Sequence, residues 1–82
     1  MFKTLSDIKK AAKVGAKMKT VWPYDDFWKC SLEKKRTIKA VQSNAIKFDD
    51  DSWLFWPPAS EVKIFDDGFE LVISGTKYIF LD

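Results

Sequence analysis

A helical spacing of apolar residues holds only near the start of the chain, and an alternating one takes over after it. Leu5, Ile8 and Ala12 fall on one stripe of a 3.6-residue period, with Lys9, Lys10 and Lys13 off it. Thr4 can accept from the first free amides, and Asp7, three residues on, can return the bond and favour the positive helix end. This predicts a helix over about residues 4–13. At about three turns it is marginal alone and must dock its stripe on something.

From Val14 to Trp22 the period is two, with Lys17 and Lys19 pointing away from the apolar positions, which predicts a half-buried strand over 14–22 that Pro23 ends. Residues 23–35 fit neither period and read as an excursion or short helical turn. Alternation returns over 36–42 and 45–49, with Gln42-Ser43-Asn44 as turn chemistry between them. Residues 61–66 and 69–74 flank the turn Asp66-Asp67-Gly68 as a second hairpin, and 77–81 follows as the last strand.

The run Trp53-Leu54-Phe55-Trp56 lies in a further strand, over 52–56, between Asp49-Asp50-Asp51 and Pro57-Pro58. Both of its faces are apolar, so it reads as a central strand. One face would line the core, and the other would lie under Leu5 and Ile8 of the helix or under a partner.

The order of elements predicts one α+β domain over residues 1–82: a short N-terminal helix, then a five- to six-stranded antiparallel sheet, strongly bent or closed as a small barrel. In strand number and length this pattern is similar to the SH3-like small barrels. With 46% hydrophobic and 16% aromatic residues, the 82-residue chain can build a dense core.

Composition then narrows the chemistry. The absence of histidine removes the commonest general base and metal ligand, and three glycines leave no phosphate-cradling loop. Asp49-Asp50-Asp51 and Asp66-Asp67 lack the alternating ligand spacing of a calcium loop. The single thiol, Cys30, has no histidine to activate it and no partner for an internal disulfide. The expectation is a non-enzymatic protein with no cofactor and no metal site. Neither a signal-peptide run nor a membrane-spanning run is visible in the sequence, so the expected location is the cytoplasm.

Binding is what remains. Tyr24, Asp25, Asp26, Phe27 and Trp28 mix acid with aromatics in the least periodic part of the chain, as a protein-recognition loop would. Charge offers an alternative. Residues 1–41 hold eleven basic and four acidic side chains (+7), whereas residues 42–82 hold three and eight (−5). Lys17, Lys19, Lys34, Lys35, Arg36 and Lys39 could therefore serve a nucleic-acid-binding small β-barrel, with nearby rings stacking on bases. Against it stand the single arginine in that set and a net charge of only +2.

The stretch from Phe65 to Tyr78 resembles β-hairpins of small phage and prophage accessory proteins, some of them anti-CRISPR proteins. The resemblance implies an inhibitor, working in the host cell cytoplasm, that blocks the surface of a host defence complex of the CRISPR-Cas kind. The basic first half departs from the acidic members that mimic DNA. A terminal strand such as 77–81 could also leave an open edge through which two copies pair as a homodimer.

Overall fold

The computed structural model describes residues 2–81. It holds one short helix, α1 (Leu5–Ala11), and seven antiparallel strands: β1 (Lys17–Asp25), β2 (Cys30–Val41), β3 (Ala45–Phe48), β4 (Trp53–Phe55), β5 (Val62–Ile64), β6 (Gly68–Leu71) and β7 (Lys77–Leu81). A single 3₁₀ turn, Ala59–Glu61, carries the chain from β4 to β5. The strands form one sheet in the order β4-β3-β2-β1-β7-β6-β5. That sheet curls into a half-barrel, with β4 and β5 as its two unpaired edges.

The start of α1 forms as its sequence dictates. The Thr4 hydroxyl accepts from the Asp7 amide at 3.2 Å, and Asp7 Oδ2 accepts from the amides of Thr4 at 3.2 Å and Lys3 at 3.0 Å. Those backbone donors hold the Asp7 carboxyl below its ordinary value. Ile8 and Ala12 are buried in one cluster with Met18, Ile38, Ile46, Phe48, Leu54 and Phe69. The helix thus meets residues of five strands inside the curl, which supplies the packing so short a helix needs.

Three of the boundaries that differ from the sequence reading do so for a physical reason. Strand β1 runs through Pro23 to Asp25, because its register with β2 slips between Val21 and Tyr24 and a proline at a bulge gives up no ladder bond. The supposed excursion over 23–35 is therefore hairpin, and β2 begins at Cys30. At the C-terminal end, β6 stops at Leu71 rather than running to 74. There Leu71 donates to the Thr76 carbonyl at 2.9 Å and Gly75, at φ 74°, donates back to Leu71 at 2.7 Å, closing a loop over Val72–Ser74.

Two expectations about position are also corrected. The Trp53–Phe55 strand lies at the edge of the sheet, since its only neighbour is β3. Leu54 is buried, but Trp53 and Phe55 are exposed on the other face, and no helix covers them. The last strand, β7, is not an edge, because β1 and β6 pair with it on either side. Gly68 makes the second of these pairings close, as a Cβ there would stand 1.9 Å from the Tyr78 carbonyl oxygen.

Candidate interaction arm at the β1–β2 hairpin

Strand β1 is paired with β7 only as far as Val21, and β2 meets β3 only from Ile38 onward. Beyond the pair Val21 and Glu33 the two strands pair only with each other, and they extend from the half-barrel as a two-stranded arm. The tip is a four-residue turn, residues 26–29, closed by the pair Asp25 and Cys30. Asp25 Oδ1 accepts from the amides of Phe27 at 2.8 Å and Trp28 at 3.1 Å, and the Asp25 carbonyl accepts from Lys29 at 2.7 Å. Lys29 takes φ 55° to complete the turn.

This geometry divides the five residues expected to bind a partner. Phe27 is 81% exposed and Trp28 65%, their rings meeting edge to face with centroids 5.0 Å apart. Tyr24 is 61% exposed on the strand below. Asp26 is exposed at the tip, but Asp25 is half-buried and occupied as the acceptor that shapes the turn. Asp25 is therefore a positioning residue.

The root of the arm is fixed by Arg36. Its side chain is only 9% exposed, and Cζ lies 4.2 Å from the Phe48 centroid and 5.9 Å from that of Trp22. Nη1 donates to Ser52 Oγ at 2.8 Å, and Nη2 donates to the buried Thr20 hydroxyl. Nε is buried and has no partner. Asp50 Oδ2 stands 3.7 Å from Nη1 and accepts from Lys34 Nζ at 2.7 Å. The Lys34 bond and the Ser52 hydroxyl hold the Asp50 carboxyl well below the ordinary carboxylate range. The loop after β6 passes the same region, where a Cβ added at Gly75 would stand 3.4 Å from Pro23 Cγ.

The six basic residues of the nucleic-acid alternative are not gathered into one patch. Register sets Lys34 opposite Thr20 and Arg36 opposite Met18, on the buried side of the sheet, whereas Lys19 and Lys35 face each other on the convex side with Lys17 beside them. Lys34 and Arg36 are engaged with Asp50, Lys39 with Asp51, and Lys19 with Glu33 at 3.9 Å. Among the described residues only Lys17 and Lys35 of the six have no carboxylate at ion-pairing distance.

Two further apolar surfaces are exposed: Trp53 with Phe55 on β4, the face expected under the helix or a partner, and Val72 with Ile73 in the loop after β6, which the sequence reading placed in a strand. Their continuous apolar runs signalled strands, and such a run carries no information about which strand has a neighbour. No cluster of metal-ligating side chains occurs among the described residues, and no helix there is long and apolar enough to cross a membrane. Comparison with known family models, curated proteins and solved structures gave no match to this chain.

Proposed function

We propose that this chain is a non-enzymatic protein-interaction module that seats Phe27 and Trp28, at the tip of the β1–β2 arm, in a recess of a partner protein. The observation that carries the reading is the pair of rings, 81% and 65% exposed, at the end of an arm whose root is pinned by a buried arginine. Large aromatic side chains dominate interface hot spots, and rings already packed on one another lose little freedom on docking. An arm filling a recess needs no chemistry to block it. That is the mode of a surface-blocking inhibitor, which the resemblance of the Phe65–Tyr78 hairpin to phage accessory proteins also suggests.

Ion pairing within the fold favours a protein partner over a nucleic acid, because most of the candidate lysines are already neutralised by neighbouring carboxylates. The convex trio Lys17, Lys19 and Lys35, with Tyr24 further along the same hairpin, is what supports the nucleic-acid alternative.

Affinity capture from cell lysate separates the two readings. The expected result is a partner band that survives nuclease treatment and is lost with the Phe27→Ala/Trp28→Ala variant, while the melting temperature of that variant stays near wild type. Capture abolished by nuclease would favour the nucleic-acid reading, and unfolding of the double variant would return both rings to a structural role.

A further inference from the structure

A surface apart from the arm, the free edge at β4, offers a second inference. The two edges of the half-barrel are finished differently. On β5 the exposed side chain is Lys63, whose Nζ lies 5.7 Å from the Phe65 ring centre, and a lysine there discourages strand pairing. Strand β4 has no such guard. Trp53 and Phe55 are 40% and 66% exposed, with rings stacked at 6.2 Å and an interplanar angle of 25°.

The same two residues hold the free backbone groups. Phe48 donates to the Ser52 carbonyl at 2.8 Å and Trp56 to the Asn44 carbonyl at 2.9 Å, with Ile46 opposite Leu54 between them. Bonded and unbonded pairs alternate along an antiparallel ladder. The Ser52 carbonyl, Leu54 and the Trp56 amide therefore turn toward β3, the Ser52 amide donating instead to Asp50 Oδ1 at 3.1 Å, whereas Trp53 and Phe55 turn their backbone groups outward from the sheet.

We propose that β4 is a self-pairing edge: a second copy of the chain docks antiparallel about a twofold axis at Leu54, with Trp53 of one copy opposite Phe55 of the other. Each such pair exchanges two N–H···O=C bonds, so both residues satisfy their outward groups. The four rings meet on the convex face as cross-strand aromatic pairs. Neighbouring registers satisfy fewer of the outward groups of Trp53 and Phe55. One sets Trp53 opposite Pro57, which has no N–H, and the other sets Phe55 opposite Asp51, whose φ of 69° is not extended.

Charge is compatible with the pairing. Across the joined face the positions run Lys47, Trp53, Phe55 of the second copy and Ala45 of the second copy, so the two Lys47 side chains stand at opposite corners. Each Lys47 already faces its own Asp51 at 3.6 Å and its own Trp53 ring at 5.4 Å. The exposed parts of the two rings supply about 200 Å² per copy. Even with the strand backbone added, this falls short of the ~1,000 Å² typical of lasting interfaces. The dimer is therefore weak and driven by concentration.

Sedimentation velocity and backbone amide exchange, from about 10 μM to about 1 mM, span the range in which so small an interface equilibrates. The mass of the wild type should climb from 9.5 kDa toward twice that value. Exchange at the Trp53 and Phe55 amides should slow with concentration, while that at Ser52, Leu54 and Trp56 stays constant. Phe55→Lys should remain monomeric with its melting temperature unchanged; should it fail to fold, amide exchange in the wild type decides alone. A constant 9.5 kDa across the range would overturn the proposal, as would a dimer that leaves the Trp53 and Phe55 amides unprotected.

Discussion

The guanidinium carbon of Arg36 sits 4.2 Å from the centre of the Phe48 ring, so the cation at the root of the arm is stacked on a side chain of the buried core. This contact ties the arm to the body. Trp22 lies 5.9 Å from the same guanidinium, and the hydroxyls of Ser52 and Thr20 accept hydrogen bonds from its Nη groups. A guanidinium packed on two rings with directed hydrogen bonds resists hinge motion better than hydrophobic contact alone, because the planar fork fits one orientation. The exposed rings at the tip are presented from a fixed base.

Arg36→Ala should therefore destabilise the fold by about 2–3 kcal/mol, since it removes two charge-assisted bonds and takes from the buried Thr20 hydroxyl its arginine partner. Arg36→Lys should recover less than half of the loss, because an ammonium cannot serve two hydroxyls and two ring faces from one plane. Urea unfolding of both variants gives the comparison. Losses under about 0.5 kcal/mol would mean that the stack does not hold the arm.

Gly68→Ala should cost about 3 kcal/mol. Its Cβ would stand 1.9 Å from the Tyr78 carbonyl oxygen and 2.9 Å from Ile79 Cα, so β6 and β7 could not keep their pairing. The measurement is the midpoint of thermal or urea unfolding, with amide exchange at Tyr78 and Ile79 reporting where the sheet opens.

Stability should be level from about pH 5 to about pH 9 and fall as the solution is made more acidic. Asp50 and Asp51 both lie below the ordinary value of 3.8, through their hydrogen bonds to Lys34 and Lys39 respectively, and Asp7 lies below it through backbone donors. A carboxyl whose folded value is the lower of the two contributes its full stabilisation above the unfolded value and loses it as pH falls toward the folded one. Asp50→Asn should flatten the acid limb of a melting-temperature profile between pH 5 and pH 2, taken as an approximate window.

Asp25→Ala should cost about 1 kcal/mol, by analogy with the loss of a capping side chain that serves two free amides. The larger effect should be local. Exchange at the Phe27 and Trp28 amides should accelerate, and partner affinity should fall although Asp25 itself touches nothing outside the arm. Unchanged exchange at those amides would show that the turn holds without its acceptor.

Where a local signal existed, the sequence carried the fold. The capping box of Thr4 and Asp7, the stripe of Ile8 and Ala12, and the hairpins closed by Asn44 and Gly68 each lie within a few residues, so periodicity and turn chemistry reveal them. The edge position of Trp53 and Phe55 was not legible, since a strand's neighbours depend on contacts distant in sequence and a strand with two apolar faces resembles a central one. Pro23 misled for a related reason: it normally ends a strand, and only the register between Val21 and Tyr24 shows a bulge that accommodates it. The exposure of Phe27 and Trp28 could be suspected from their aperiodic surroundings. The role of Asp25 as turn acceptor required the geometry, because a recognition loop and an Asx turn share the same composition.

The claim that the arm tip binds a partner is tested most directly by calorimetric titration of the captured partner with wild type and with Phe27→Ala/Trp28→Ala. The account predicts that the double variant loses at least about 2 kcal/mol of binding free energy, roughly a thirtyfold weaker Kd, while melting within a few degrees of wild type. An unchanged Kd in a folded double variant would contradict it.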